Sequence, residues 1–352
     1  MSDTPIDEEA RAKHEFAKKI KQVEQQARRR AIRDRGLFKG LQIAPTASFE
    51  NDSGGRRPGD TNWAGFGFDI HPHVTFISAF TLIVFILLTL MFQEEASAFF
   101  KSAMAGITRT TGWFLILASN IFILAAIYFA FSKFGEIRIG GRDAKPEFST
   151  VAWYAMLLSA GMGIGLMFWS VGEPMYHYSS PSPMFNGLEA QTPEAAQAAM
   201  GVTYFHWGLH PWAIYAIVGL GLAFFAYNRG LPLTIRSVFY PLLGDKIYGF
   251  WGNLIDVLSV LATLVGLATS LGLGVQQINA GLDHLFGIEV STTTQVTLIA
   301  VITGFATMSV MAGLDAGVKR LSQGNMILAA AFVLFLLLVG PTVFILSGFT
   351  QN

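Results

Sequence analysis

Residues 203–226 read TYFHWGLHPWAIYAIVGLGLAFFA, an apolar stretch that is long enough to cross a lipid bilayer as a helix. Within it, Trp207, Trp212 and Tyr215 are separated by five and three residues. At about 100° per residue on a continuous helix, Tyr215 lies roughly 80° from Trp207 and roughly 60° from Trp212, so the three rings fall within about 140° of the circumference. The spacing therefore predicts three aromatic rings on one side of a membrane helix.

These three rings have two interpretations. Trp and Tyr side chains often pack against neighbours or mark the membrane interface without any further role. A set of ring faces can also hold a quaternary ammonium group, because that cation needs no hydrogen-bond acceptor. The remainder of the chain favours the second interpretation.

The composition is that of an integral membrane protein. Of the 352 residues, 52% are hydrophobic and only 14% are charged, whereas a soluble domain carries about 25% charged residues. The chain has no cysteine, which excludes a disulfide framework and thiolate chemistry. Its formal net charge is zero, but the charges are unevenly distributed.

Residues 1–70 form a separate region with 13 of the 24 Lys and Arg and 11 of the 24 Asp and Glu. Residues 8–35 contain no Gly or Pro and predict a charged helix, and Pro and Gly in 44–63 predict a linker. Two roles stay open for this cytoplasmic region. It is either a solvated helix without a specific partner or a regulatory arm that touches anionic lipid.

Seven apolar segments of membrane-spanning length follow, which predicts an all-α integral membrane protein. We place them near 73–93, 111–132, 149–171, 203–226, 250–276, 294–313 and 325–349. The second, fourth and sixth connections contain Lys and Arg, whereas 172–202 and 277–293 contain neither. The positive-inside rule then places the N-terminus in the cytoplasm and residue 352 outside the plasma (inner) membrane.

Asp256 is the only formal charge well inside these segments, and near the end of its segment it could reach water. The membrane interior is therefore expected to offer almost no acid to balance a cationic ligand. Ring faces are then the available counterpart for such a cation, which supports the aromatic cage.

The third segment contains three alternating glycines in SAGMGIGLMFW, residues 159–169. Gly161 and Gly165 are one helical turn apart, a spacing that permits close helix packing. Three glycines also weaken a helix within the membrane and can expose backbone carbonyls as ligands for Na⁺ or for a substrate dipole. We expect this helix to end where Gly172, Glu173 and Pro174 follow. The GxGxG spacing in an apolar setting does not fit a nucleotide-binding loop.

Three stretches together resemble the betaine/choline/carnitine transporter family. They are GMGIGLMFW (161–169) followed by Glu173-Pro174, HWGLHPWAIY (206–215) and ATSLGLGVQQINAGL (268–282). The resemblance covers roughly residues 65–352 and implies a LeuT-like transporter fold of two peripheral helices and two inverted five-helix repeats. Residues 71–140 would hold the peripheral helices and 141–352 the first repeat. The fold is thus expected to be truncated, with seven transmembrane helices, and the chain is not expected to transport alone.

The resemblance also implies the site residues. Those expected at the substrate are Trp207, Trp212, Tyr215, Gly161, Met162, Gly163, Ile164 and Gly165. Those expected at a sodium ion are Ala160, Gly163 and Thr263. Leu267 stands where sodium-coupled members have a second threonine, so coupling to Na⁺ or to H⁺ stays open. His206 and His210 are the candidate proton carriers.

The sequence thus predicts a secondary transporter, not an enzyme. The expected activity is uptake of glycine betaine, choline, carnitine or a related quaternary ammonium osmolyte by alternating access, in symport with Na⁺ or H⁺. No cofactor is expected apart from a possible Na⁺ coupling ion, and no nucleic acid. The expected partners are the substrate, the lipid bilayer and, in the full-length form, two further copies in a homotrimer.

The sequence leaves two other classes of protein as alternatives. A membrane-embedded metal-dependent enzyme is the alternative suggested by the paired histidines of HWGLH, although the Glu of HExxH is missing. A seven-helix receptor or retinal protein fits only the number of segments. The predicted cytoplasmic N-terminus opposes a typical receptor, and the seventh segment has no Lys for a Schiff base.

Overall fold

A computed structural model describes residues 59–351 except 142, 162 and 186, and it does not describe the side chains of 164–166, 315 and 316. The predicted charged helix at 8–35 and most of the predicted linker lie outside the described residues. The described part is helical apart from one short hairpin of β1 (Trp63–Gly65) and β2 (Phe68–Ile70). Phe66 and Gly67 form its turn with φ of 51° and 83°, the two positive values that a tight type I′ hairpin turn needs.

The helices begin just after this hairpin. They are α1 (Pro72–Met91), α2 (Gln93–Phe131), α3 (Thr150–Gly161), α4 (Ile164–Ser179), α5 (Pro193–Trp207), α6 (Leu209–Ala223), α7 (Tyr240–Leu243), α8 (Phe250–Phe286), α9 (Thr292–Met311), α10 (Lys319–Val339) and α11 (Thr342–Gln351). Shorter turns connect them: 3₁₀ turns at Lys133–Glu136, Ile235–Phe239 and Gly244–Tyr248, and π-helical turns at Phe224–Asn228 and Leu314–Val318.

Six of the helical segments in the described part of the chain are long and apolar enough to cross a membrane. They are Pro72–Met91, Gln93–Phe131, Pro193–Asn228, Phe250–Phe286, Thr292–Met311 and Lys319–Val339. The predicted class, an all-α membrane protein, is confirmed. The remaining predicted span is also helical, but it is divided into α3 and α4, and neither half reaches 18 residues.

One predicted helix end was wrong, and one helix is longer than its predicted span. The span predicted near 111–132 lies in α2, which begins earlier, at Gln93, since the stretch that carries Lys101 and Arg109 has no proline and stays helical. Helix α4 does not end at Gly172–Pro174 but continues to Ser179 with Pro174 inside it. One proline removes a single backbone hydrogen bond, which membrane helices tolerate when neighbouring groups satisfy the freed carbonyl.

The helices pack in pairs that set the position of the divided span. Helix α3 packs against α10, α4 against α5 and α8, α2 against α6, and α1 against α8. Small side chains on two of these helices are fully or almost fully buried, namely Ala152 and Ala155 on α3 and Ala195 and Ala199 on α5. Small residues let helix backbones approach closely, which is the main source of packing between helices in lipid.

Candidate functional site

The predicted interruption of the third span is present at the glycines. Helix α3 ends at Gly161 and α4 begins at Ile164, and Gly163 between them has extended backbone angles, φ −88° and ψ −178°. Ala160 lies in the last turn of α3. Met162 is not described. The first backbone N–H groups of α4 have no partner within their own helix, as at every helix start.

A polar contact holds α3 beside this interruption. Asn325 of α10 donates from Nδ2 to Ser159 Oγ at 3.2 Å, and Ser159 Oγ lies 3.5 Å from the carbonyl of Ser322. Ser159 is two residues before Gly161, so α10 fixes the end of α3. The helix end that faces the site is thus anchored from the side.

Trp212 covers the end of α3. A Cβ atom on Gly161 would overlap the six-membered ring of Trp212, so this close approach requires glycine. Trp212 donates from Nε1 to the Trp207 carbonyl at 3.0 Å. The Trp212 and Tyr215 rings lie 5.7 Å apart between centroids. The two residues keep 41% and 59% of their surface exposed, so an accessible aromatic pair stands beside the helix interruption.

On a continuous helix, Trp207 would lie on the same side as Trp212 and Tyr215, but the helix is interrupted between them. Gly208 separates α5 from α6 with φ −77° and ψ −131°, and a Cβ atom there would lie 2.7 Å from the Tyr204 carbonyl oxygen. The predicted arrangement of three rings along one helix side was therefore wrong. Trp207 ends α5, and its indole points to α4.

The partner of Trp207 on α4 is Glu173. This residue is only 6% exposed and accepts the Trp207 Nε1–H at 2.6 Å on Oε2. Its Oε1 lies 2.7 Å from His206 Nδ1 and 3.6 Å from His177 Nε2. A buried acid therefore lies among the aromatic residues, because the helix continues past Pro174 instead of ending there.

These residues line a cavity of about 590 Å³ between α4 and α5. Its lining consists of Trp169, Glu173, Tyr176, His177, Val202, His206 and Trp207. Three aromatic rings and one carboxylate are groups that stabilise an organic cation. Sequence reasoning did not assign Glu173 or Tyr176 to the site. The available signal was the i, i+4 and i, i+7 spacing of Trp169, Glu173 and Tyr176 on one side of a continuing helix.

The candidate proton and ion residues lie in separate surroundings. His210 Nε2 lies 3.2 Å from Asn120 Oδ1 of α2, away from the Glu173 contact of His206. Thr263 donates its hydroxyl to the Ser259 carbonyl at 2.8 Å and lines another cavity with Arg236 and Asp256. Ala160 and Gly163 are not among the residues that line that cavity. The sodium site and the proton role stay predictions.

Asp256 has a different position from the one expected. It is only 8% exposed and pairs with Arg236, whose Nε lies 2.6 Å from Asp256 Oδ2. The carboxylate therefore does not simply reach water, because the connection after α6 folds back over the start of α8.

Comparison with known proteins agrees with this architecture. The model of the betaine/carnitine/choline family of transporters matches residues 73–352. The chain belongs to this transporter family. A glycine betaine/proline/choline transporter of Vibrio parahaemolyticus is 46% identical over 300 residues, which are 82% of this chain and 54% of that protein. A glycine betaine transporter of Bacillus subtilis is 48% identical over 252 residues, which are 72% of this chain and 49% of that protein.

A third relative is a Vibrio parahaemolyticus transporter named for glycine betaine, proline, choline and ectoine, 47% identical over 79% of this chain and 50% of its own length. The chain spans about half the length of these family members. The alternative of a metal-dependent enzyme is not favoured by these relatives. Within the described residues, no group of three or more His, Cys, Asp or Glu could hold a metal ion.

Proposed function

We propose that this chain supplies a binding surface for the quaternary ammonium group of an osmolyte, such as glycine betaine or choline, in a secondary transporter. The observation that carries the proposal is the aromatic pair Trp212 and Tyr215 beside the interrupted helix at Gly161. Ring faces attract a trimethylammonium group, and the interruption brings unpaired backbone groups to the same place.

The two ends of a glycine betaine molecule have separate candidates in this arrangement. The cationic end fits the faces of Trp212 and Tyr215, with Trp207 held nearby by Glu173. The carboxylate fits the start of α4, because the first N–H groups of a helix carry partial positive charge. Choline would use the cationic contacts alone.

Alternating access needs more than the helices described. In the LeuT-like arrangement that the family resemblance implies, one five-helix repeat moves relative to a second, and the substrate lies between them. The matched relatives are about twice as long as the matched region, which supports a second set of helices in the transporting unit. Trimer formation and a cytoplasmic N-terminus belong to the same proposal. The Lys and Arg of alternate connections support that orientation.

A chimera tests the proposal directly. Residues 73–352 replace the matched region of the Vibrio parahaemolyticus glycine betaine/proline/choline transporter, and uptake of labelled glycine betaine and choline is measured in cells without other betaine uptake. We expect uptake that Trp212→Leu weakens several-fold, since one ring contributes about 1–2 kcal/mol. Replacing Na⁺ by K⁺ in the medium then distinguishes Na⁺ from H⁺ coupling.

The matched control is Trp113→Leu on α2, because Trp113 is 69% exposed and does not line the cavity beside Glu173. It should leave uptake unchanged. A chimera that reaches the membrane but transports neither solute would contradict the proposal, as would equal uptake with and without Trp212.

A further inference from the structure

A second cavity of about 870 Å³ lies between α1, α6 and α8, apart from the aromatic site. Apolar side chains such as Val74, Val218 and Leu222 form most of its wall. Residues 59–62 and the connection at 232–236 line it as well. Both segments lie on the side that the positive-inside rule assigns to the cytoplasm. The cavity therefore runs inward from that side.

One wall of this cavity carries a line of oxygen atoms. Asp256, Ser259 and Thr263 all line it, at positions i, i+3 and i+7 of α8. This spacing places them within about 60° on one helix side, over a rise of roughly 10 Å. The hydroxyls of Ser259 and Thr263 each donate to a carbonyl one turn back, at 2.8 Å. Because both hydroxyl protons are donated to the helix, the oxygen lone pairs stay available to coordinate a cation.

The carboxylate at one end of this line is held by Arg236. Arg236 donates from Nε to Asp256 Oδ2 at 2.6 Å and from its backbone N–H to Oδ1 at 3.2 Å. Its Nη1 donates to the Ile247 carbonyl at 3.2 Å. Both residues are buried, with 5% and 8% of their surface exposed. The guanidinium of Arg236 thus occupies the position that another cation would need in order to bind the Asp256 carboxylate.

A buried carboxylate needs a cation beside it, because the unpaired charge is costly in a poorly solvated site. A small alkali cation can fill that role in place of a guanidinium, since carboxylate, hydroxyl and carbonyl oxygens are the ligands that hard cations prefer. Asp60 also lines the cavity and adds a second carboxylate to its wall.

We infer that this cavity binds a monovalent alkali cation along Asp256, Ser259 and Thr263, and that Asp256 exchanges Arg236 for the ion. The inference rests on the proposed transport function, which gives a coupling cation a reason to pass from Thr263 to this side of the membrane. When the ion occupies Asp256, Arg236 keeps its Ile247 contact and releases the acid. When the ion leaves, the ion pair forms again.

The chain has no cysteine, so Ser259→Cys places a single thiol in the middle of the oxygen line. The purified chain in lipid nanodiscs is treated with a small neutral methanethiosulfonate, in Na⁺ or in N-methylglucamine at equal ionic strength. The rate of thiol modification is measured. If the site binds Na⁺ with a Kd of about 50 mM, about 100 mM Na⁺ should slow this rate roughly threefold. Arg236→Gln should increase this protection, because it leaves Asp256 to the ion. Asp256→Asn should abolish it.

The matched control is Thr269→Cys on the same helix. Thr269 donates its hydroxyl to Val265 in the same way, at 2.9 Å, but it does not line the cavity. Its rate should be the same in both salts. If Arg236→Gln fails to fold, Arg236→Lys keeps the charge with a weaker hold on the acid, and should also increase protection.

Equal rates for Ser259→Cys in both salts, with and without Arg236, would overturn the cation site, and so would full protection in Asp256→Asn. Transport plays no part in this readout. A chimera without uptake but with Na⁺ protection contradicts the proposed transport function and leaves the cation site standing. Uptake without protection contradicts the cation site alone.

Discussion

Trp207 of α5 donates its indole N–H to the buried carboxylate of Glu173 on α4, across 2.6 Å. The contact joins the two halves of the candidate site, because Glu173 follows the helix interruption and Trp207 precedes the break at Gly208. Glu173 thus fixes the direction of the Trp207 ring, and it also brings a negative charge beside the aromatic residues.

Replacing Glu173 by Ala should weaken glycine betaine binding to the chimera by roughly tenfold to a hundredfold, since a hydrogen bond to a charged group contributes about 1.5–3 kcal/mol. Glu173→Gln keeps an oxygen that can accept from Trp207 and should lose less. Titration calorimetry measures both. The exposed Glu189 offers a control, and Glu189→Gln should bind normally. Unchanged affinity in Glu173→Ala would show that the hydrogen bond between Glu173 and Trp207 does not contribute to glycine betaine binding.

Replacing Gly161 by Ala should displace Trp212, because the added methyl group would overlap its ring. We expect a roughly fivefold to thirtyfold loss of glycine betaine affinity with little loss of folded protein, since one displaced ring removes about 1–2 kcal/mol. The control is Gly219→Ala on α6, where no atom lies within 4 Å of the new Cβ. Equal affinities of the two variants would show that glycine betaine binding does not depend on the position of Trp212 over the end of α3.

Removing one partner of the Arg236–Asp256 ion pair should destabilise the protein more than replacing both partners. Asp256→Ala leaves a buried guanidinium without its acid and should cost about 3–5 kcal/mol, visible as a lower thermal unfolding temperature. The double variant Arg236→Met with Asp256→Leu should recover most of that loss, since neither charge then stays buried. Fluorescence-detected size exclusion after heating measures both. A double variant as unstable as the single one would contradict this account.

His71 gives stability a pH dependence. It lies at the start of α1, where its Nδ1 accepts from the Val74 N–H at 3.4 Å. Burial, and next the charge of Arg236, hold the pKa of His71 below its ordinary value of 6.5. The folded state therefore binds a proton less readily than the unfolded state. His71 contributes stability at pH values above its pKa in the unfolded state, and this contribution is lost as the pH falls through its pKa in the folded state.

The unfolding temperature should accordingly fall as pH is lowered from neutral, and protonation also removes the acceptor for Val74. His71→Asn keeps a side chain that can accept at the helix start but does not titrate. It should flatten the pH dependence between neutral pH and the folded pKa. An equally steep decline in the variant would assign the effect to other groups.

The helices of this fold could be predicted because lipid requires long apolar stretches, and residues 250–276 or 294–313 have no other stable conformation in a membrane. The interruption at Gly161 was also predictable from three alternating glycines. The break at Gly208 was not, since a single glycine in an apolar helix is commonly a packing residue. Its effect depends on the Tyr204 carbonyl, a contact that only the folded chain shows.

The charged contacts were the least predictable part of the site. Pro174 suggested the end of a helix, so Glu173 was expected at that helix end, outside the predicted span at 149–171. Its position became clear only through Trp207, 34 residues later in the chain. Arg236 and Asp256 are 20 residues apart, and their pairing depends on a connection that folds back over α8. Spacing rules describe neighbours on one helix, whereas both of these contacts join different elements.

The central claim is that ring faces hold a positive nitrogen, and one competition measurement tests it. Glycine betaine and 3,3-dimethylbutanoate have the same shape and the same carboxylate, but the second has carbon in place of the charged nitrogen. Each competes with labelled glycine betaine for the purified chimera. We expect 3,3-dimethylbutanoate to bind at least roughly tenfold more weakly, because without the positive nitrogen it loses the cation–π attraction of the aromatic rings. Equal competition by the two compounds would contradict the claim.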